Sequence, residues 1–541
     1  MTNQTIQYIK IGVFIAVALT ALIYSLSMTD IGKRPSQGYD EEMWVSSSVA
    51  SYNMFCKGYI RNTKSIENWF PTYAYKNGVD IFAQLGNRSV NGKLEAFSRN
   101  AFFNPDTVKF PYDIISLDTL GNTYPFVIKY DTIKFPREHF QWFDRDMWTF
   151  GWKAPNAGKY IMGWYLDKFA SEKPDPNGYF RYNNRYKNDE PTNVTFSYAP
   201  FSMVGEARIP NAIMCALAII IVFMTGWMFL NYGTGLVASV YLLFNFQFMG
   251  VNTAVGLDSF SIFFMALAIF HLAGTIKRVL TDSPLWKTSS WALATALAFG
   301  LAVSSKLNAA LFAYLCIPVY LFTLFAILRR FFQERGNTKI NAKDFFRKRF
   351  VSFVVSGLII ALIGPGIFVY LNPQYQGDTL ALVKTTRQSV DDYFTRRGKD
   401  QKQKGYEVVK DNPSKAFGLM MKRNFIRSEK VEKPFYGTFG YRIPFRGNFL
   451  DGMFAIIGLF ALLYTAFNDY RKNNYIGGAF ITLASFIILL AGTVDFIWID
   501  FGRYHMAIYT AFALVIGYGF VHVLEWVDSK IKLSDKLRKN A

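Results

Sequence analysis

The chain has 541 residues, 51% of them hydrophobic, with 53 Phe and 32 Tyr, yet its formal net charge is +20. A soluble nucleic-acid binder could share that charge but not the many apolar runs of membrane-spanning length, so the basic surplus reads as membrane topology. Cys56, Cys215 and Cys316 and four scattered His residues give no metal-ligand spacing, which argues against a zinc enzyme.

Ten segments approach the roughly 20 residues that cross a hydrocarbon core as a helix. They are 9–27, 211–231, 233–251, 256–276, 289–307, 309–328, 351–371, 449–467, 475–496 and 504–525. Short cytoplasmic loops retain Lys and Arg, which tests the count. With the N-terminus inside, the strongly basic stretches all fall on one side: Lys277 to Lys287, the cluster from Arg329 to Arg349, Arg471 with Lys472, and the tail Lys530 to Lys539. The expected fold is a polytopic α-helical membrane protein of about ten spans, with both ends cytoplasmic. A cleaved signal peptide ending at Ser25-Leu26-Ser27 competes for the first span, against a weakly basic start and the Leu and Met residues around that site.

This topology divides the chain into a first span (1–29), an extracytoplasmic segment (30–208), a membrane block (209–371), a second outer segment (372–448), a second membrane block (449–527) and a basic tail (528–541). Short β-rich runs such as "YPFVIKY" (124–130), punctuated by Pro and Gly, predict a small mixed α/β domain in the first outer segment, with re-entrant or interfacial helices. Residues 171–200 read as an exposed loop, and 378–397 as an amphipathic helix.

On this topology the distinctive ionisable residues collect at one boundary. Asp40 and Glu41 follow the first span, Lys159 follows Pro155, Arg208 precedes the second span, Asp258 opens the fourth, Lys306 closes the fifth, and Arg503 precedes the tenth. Each alone has a bland explanation: an end charge can snorkel, cap a helix or complement its dipole. Together they make a chemical set, because ionisable groups at that depth are costly unless they pair or serve a site. Cations hold a lipid phosphate as it gains charge on leaving, and one carboxylate accepts the proton of an attacking hydroxyl.

Several patches then fall into a familiar order: "YDEEMW", "WKAPNAGKYIMGWYL", "ARIPNAIMCAL", "VNTAVGLDSFSIFF", "GLAVSSKLNAALF" and "FGRYHMAIYTAFALVIGYG". Over most of residues 30–520 the sequence resembles the polyprenyl-phosphate-sugar-dependent glycosyltransferases of the GT-C superfamily. The resemblance is to the protein O-mannosyltransferases and the aminoarabinose transferases that modify lipid A. It implies Asp40 as catalytic base, Glu41 as its acidic neighbour and Asp258 as a second acidic position. Lys159, Lys306 and Arg503, with the adjoining Tyr504, are implied as donor contacts, while Arg208 is left to a structural role and Glu42 to a solvated surface charge.

The sequence departs from the family pattern at Ala154, where the first Pro of the second motif would stand, and at Trp152-Lys153, where many mannosyltransferases have His. Residues 372–448 are also too few for the inserted sugar-binding domain of eukaryotic members, which favours a prokaryotic type. Asp144 and Asp146 lie among Trp142, Trp148 and Trp152, a group that reads as an interfacial aromatic belt ahead of a sugar-stacking surface.

The implied activity is inverting transfer of a sugar from a polyprenyl-phosphate carrier to a hydroxyl of protein, lipid or glycan on the extracytoplasmic face of the cell membrane. No cofactor and no nucleic-acid partner are expected, and a divalent cation is left open. The competing class is a transporter or flippase, favoured by the Gly364-Pro365-Gly366 break expected in the seventh span. A membrane-anchored binding protein explains the outer segment but not the ordered motifs.

Overall fold

The computed structural model describes residues 3–30, 39–52, 56, 89–90, 93–95, 107–109, 116–118, 132–134, 154–174, 180–187, 190–197, 200–281, 283–334, 342–372, 380, 383, 412–418, 449–496 and 506–531. Its helices are α1 (Asn3–Ser27), α2 (Tyr39–Ser51), α3 (Ala157–Phe169), α4 (Phe201–Phe229), α5 (Tyr232–Phe244), α6 (Phe246–Asn252) and α7 (Asp258–Leu280). They continue as α8 (Leu285–Ser305), α9 (Leu311–Glu334), α10 (Ala342–Leu371), α11 (Phe449–Asn473), α12 (Gly478–Phe496) and α13 (Tyr509–Ile531).

Among the described residues, seven helices are long and apolar enough to cross a membrane by length and composition: α1, α4, α7, α9, α10, α11 and α13. The protein is therefore of the polytopic helical membrane class. The three other expected spans correspond to α5, α8 and α12, of 13, 21 and 19 residues. At about 1.5 Å per residue, α7 is about 35 Å long, enough for a hydrocarbon core. It is buried along most of its length and forms the centre of the bundle, whereas α1, α10 and α11 are peripheral. Small residues let the backbones approach: a Cβ on Gly458 of α11 would meet the Val515 carbonyl of α13, and one on Gly519 the Phe454 carbonyl.

Three local expectations change. The span expected over 233–251 is broken at Asn245, which leaves the helical region (φ −77°, ψ 98°) and accepts the Phe248 N–H on its side chain at 2.9 Å. Asn competes for backbone donors in this way, so it ends α5 and caps α6. The break expected at Gly364-Pro365-Gly366 is absent, since α10 runs through Pro365 without interruption. The flanking glycine serves packing instead: Gly300 of α8 has no room for a Cβ against the Gly364 carbonyl (2.8 Å) and Ile367. Finally, 171–200 is more than a loop. Strands β6 (Phe180–Lys187) and β7 (Glu190–Ser197) pair antiparallel, with Lys187 opposite Glu190. Alternation of Tyr, Val, Thr and Phe with polar residues supplies the β-forming pattern, and the connecting Asn188 and Asp189 are turn-favouring types.

Five shorter strands precede these: β1 (Ser89–Val90), β2 (Lys93–Glu95), β3 (Thr107–Lys109), β4 (Ser116–Asp118) and β5 (Thr132–Lys134). They form a β1-β2-β4 sheet and a β3-β5 pair, all antiparallel. Most of the expected mixed first domain, including 124–130, and most of the amphipathic helix at 378–397 lie outside the described residues.

Contacts between helix ends separate the two ends of the bundle. At one, the Tyr232 hydroxyl donates to the Lys10 carbonyl at 3.3 Å, the Arg278 guanidinium lies 3.9 Å from the Trp291 ring centre, and Arg329 donates to the Tyr470 and Arg471 carbonyls at 3.3 and 3.2 Å. At the other, the Thr253 hydroxyl oxygen lies 3.8 Å from Met28 Sδ just beyond α1, and Asn252 reaches Met506 Sδ just before α13. The first end is basic. The second gathers the residues described next.

Candidate active site

Helix α2 begins on the motif "YDEEMW". Asp40, Glu41 and Glu42 occupy its first turn, where carboxylates complement the positive end of a helix dipole. The Ser-rich remainder is a weak helix former, and its burial against neighbours stabilises it. Trp44, Val45 and Val49 are all buried.

Glu41 is not a free acid beside Asp40. Arg208, eight residues into α4, donates from Nε to Glu41 Oε1 at 2.8 Å and from Nη2 to Oε2 at 2.6 Å, and Val255 N–H adds a third bond to Oε1 at 2.9 Å. Both side chains are essentially inaccessible, 0% and 1% exposed. A fork of this kind gains geometric definition as well as charge compensation, and removing one partner strands a buried charge. It locks α2 to α4 and to the turn before α7. Glu42, expected as a solvated charge, is half-buried instead; burial, and then the negative charge of Glu41, raises its carboxyl above the usual range.

Helix α3 lies against α2. A Cβ on Gly163 would collide with the Ser48 carbonyl and Tyr52 Cβ, and the Ser48 hydroxyl contacts Met162 Sδ at 3.4 Å, so the two backbones nearly touch. The first turn of α3 faces α7: a Cβ on Gly158 would stand 3.0 Å from Leu257 and 3.2 Å from Phe260, residues that flank Asp258. Lys159, next in the same turn, is fully buried, and burial pushes its ammonium well below the ordinary lysine value. Both ends of α3 are tied down. Asn156 N–H donates to Asn372 Oδ1 at 2.7 Å, and Ser171 N–H to Glu206 Oε1 at 2.8 Å.

Asp258 opens α7 and pairs with Lys306, which follows α8 in an extended conformation (φ −156°, ψ 129°) before a 3₁₀ turn at Leu307–Ala310. Each charge suits the dipole of its own helix end. Unlike the Arg208–Glu41 pair, this one is reached by solvent from one side: the Lys306 side chain is 30% exposed, whereas that of Asp258 is 7%. Beside it, the Ser259 hydroxyl donates to Asn211 Oδ1 at 2.7 Å, joining α7 to α4.

The structure therefore brings Glu41, Lys159, Asp258 and Lys306 to one end of the bundle, with Asp40 on the first turn of α2. Arg503 and Tyr504, and the Asp144, Asp146, Trp142, Trp148 and Trp152 group, lie outside the described residues. Arg208 takes the structural role left to it. Sequence reasoning missed Asn211, Asn252, Ser259 and Asn372, all buried. Their signal was polarity inside or beside apolar helices, which is costly without partners. Among the described residues no group of three or more His, Cys, Asp or Glu gathers as metal ligands.

Residues 177–367 match the protein-family model described as dolichyl-phosphate-mannose-protein mannosyltransferase. The resemblance drawn from the motifs thus holds over a segment that contains Arg208, Asp258 and Lys306. No curated protein matches the chain. Among solved structures, the chain is similar to the archaeal oligosaccharyltransferase AglB from Archaeoglobus fulgidus in complex with an inhibitory peptide and a dolichol-phosphate. That match has 12% identity and a TM-score of 0.43, covering 98% of this chain and 52% of AglB. It is also similar to ArnT from Cupriavidus metallidurans bound to undecaprenyl phosphate, with 12% identity and a TM-score of 0.42, covering 94% of this chain and 59% of ArnT. The chain thus spans between half and three-fifths of the length of the solved proteins it matches.

Proposed function

We propose that the protein is an integral membrane glycosyltransferase that moves a sugar from a polyprenyl-phosphate carrier to a hydroxyl acceptor. The observation that carries this reading is the gathering of Lys159, Asp258, Lys306 and the Asp40–Glu41 helix turn at one end of an apolar bundle, opposite its basic end. The matched family segment supports the reaction class, and the distribution of Lys and Arg supports an extracytoplasmic site with both termini inside.

In this reading Asp40 accepts the acceptor's hydroxyl proton as the oxygen attacks the anomeric carbon. The bond from that carbon to the phosphate oxygen breaks with its electron pair on the phosphate. A phosphodiester of charge −1 becomes a phosphomonoester approaching −2, and the added charge is where cations lower the barrier. Lys159 and Lys306, with Arg503, are assigned to that phosphate. Asp258 holds Lys306, and the Glu41–Arg208 fork holds the helix that carries Asp40. A single displacement inverts the anomeric centre. The step needs no cofactor beyond the donor.

The test incubates purified protein with radiolabelled polyprenyl-phosphate sugars and hydroxyl acceptors. Wild type should release polyprenyl phosphate with transfer, whereas Asp40→Asn should bind donor normally and turn over about 100- to 10,000-fold more slowly, as expected for loss of a general base. Undiminished turnover by Asp40→Asn would remove that residue from the role.

A further inference from the structure

Asn372 stands immediately after α10, 216 residues from the α3 N-terminus it touches, and it is fully buried. Its side-chain amide is used in both directions. Nδ2 donates to the Phe368 carbonyl at 2.7 Å, within the last turn of its own helix, and Oδ1 accepts the Asn156 N–H at 2.7 Å. Reversing the amide would set donor against donor and acceptor against acceptor, so this orientation is the one that satisfies both neighbours.

Asn156 is the N-cap residue of α3, but its own side chain does not cap the helix; it donates from Nδ2 to the Tyr160 hydroxyl at 3.1 Å. The first amides of a helix have no partners within it and must find them elsewhere. For the cap residue of α3 that partner is Asn372. Lys159 lies three residues on, in the turn whose backbone this bond anchors, and the depth at which its ammonium sits depends on where that turn is held.

We propose that Asn372 is a positioning residue for Lys159, holding the first turn of α3 from the end of α10 so that the buried ammonium is presented to the donor phosphate. This rests on the glycosyltransferase reading in one respect, the assignment of Lys159 to that phosphate. The tether itself can be tested separately. Asn372 makes α10, otherwise a peripheral helix, part of the donor site.

The experiment compares full-length wild type, Asn372→Leu and Asn372→Gln. Leucine has similar size and no acceptor. Glutamine keeps both an acceptor for the Asn156 N–H and a donor for the Phe368 carbonyl, on a side chain one methylene longer. Asn372→Ala replaces the leucine variant should that one not accumulate. Hydrogen–deuterium exchange over residues 154–162 reads the tether, and titration with radiolabelled undecaprenyl phosphate reads the site.

The leucine variant should exchange faster in that segment and bind the probe about tenfold more weakly, as expected when the Asn156 N–H loses its buried acceptor, and glutamine should restore both. Unchanged exchange in the leucine variant overturns the tether. Faster exchange with unchanged affinity overturns the positioning role. Equal loss of affinity with leucine and glutamine also overturns it, because the retained donor and acceptor would then make no difference. Failure of wild type itself to bind the probe would count against the donor class proposed for the site, while the exchange arm would still decide the tether.

Discussion

The Arg208–Glu41 fork makes the sharpest quantitative prediction. Arg208→Met removes two short bonds, 2.8 and 2.6 Å, and their positive charge from a carboxylate that is 1% exposed, while the Val255 N–H bond remains. An uncompensated buried charge of this kind costs about 3–5 kcal/mol. Glu41→Gln removes the negative charge facing the guanidinium instead and should cost a similar amount. The double variant has no charge to strand, and the amide that replaces the carboxylate retains an acceptor for the Val255 N–H, so it should cost about 1–2 kcal/mol, less than either single change. The coupling is then several kcal/mol, measurable by unfolding each protein in mixed micelles and following Trp fluorescence. Single variants each costing under about 1 kcal/mol, or additive effects, would refute the fork as the lock that seats α2.

Other outcomes follow from the same geometry. Lys306→Met should destabilise less than Arg208→Met, by about 1–3 kcal/mol, because Lys306 is 30% exposed and the Asp258 carboxylate keeps the α7 dipole; equal costs would contradict the difference in burial. Gly163→Ala should cost about 1–3 kcal/mol and slow transfer, since its methyl must displace α3 from the Ser48 carbonyl; unaltered stability in the same unfolding assay would mean the helices are not in backbone contact. Lys159 has a folded-state pKa below its unfolded one, so the unfolded chain binds more protons between the two values. Ligand-free stability should therefore rise with pH across that window and the rise should be lost in Lys159→Met, while undecaprenyl-phosphate affinity should fall across it as the ammonium is neutralised. Stability and affinity moving the same way would contradict the proposed role.

The general architecture was legible because apolar length and Lys/Arg distribution are local signals. The helix that begins at Tyr39 was not, because the sequence marked "YDEEMW" only as an acidic motif beyond the first span. The role of Glu41 was not, because its partner lies 167 residues away and nothing local distinguishes a buried carboxylate from a reactive one. The same holds for Asn372, an unremarkable residue in "YLNPQ" until α10 brings it to the α3 N-terminus. Pro365 misled for another reason: a helix packed through Gly300 and Gly364 accommodates proline without interruption, so the break that favoured a transporter is not there.

The central claim is that the gathered charges perform sugar transfer and not passage of a substrate. Reconstituting the protein in liposomes with a radiolabelled polyprenyl-phosphate sugar and a hydroxyl acceptor measures both at once. The prediction is a glycosylated acceptor of inverted anomeric configuration with stoichiometric polyprenyl phosphate, lost in Asp40→Asn. Movement of intact donor across the bilayer with no transfer or hydrolysis from any sugar tested would contradict it.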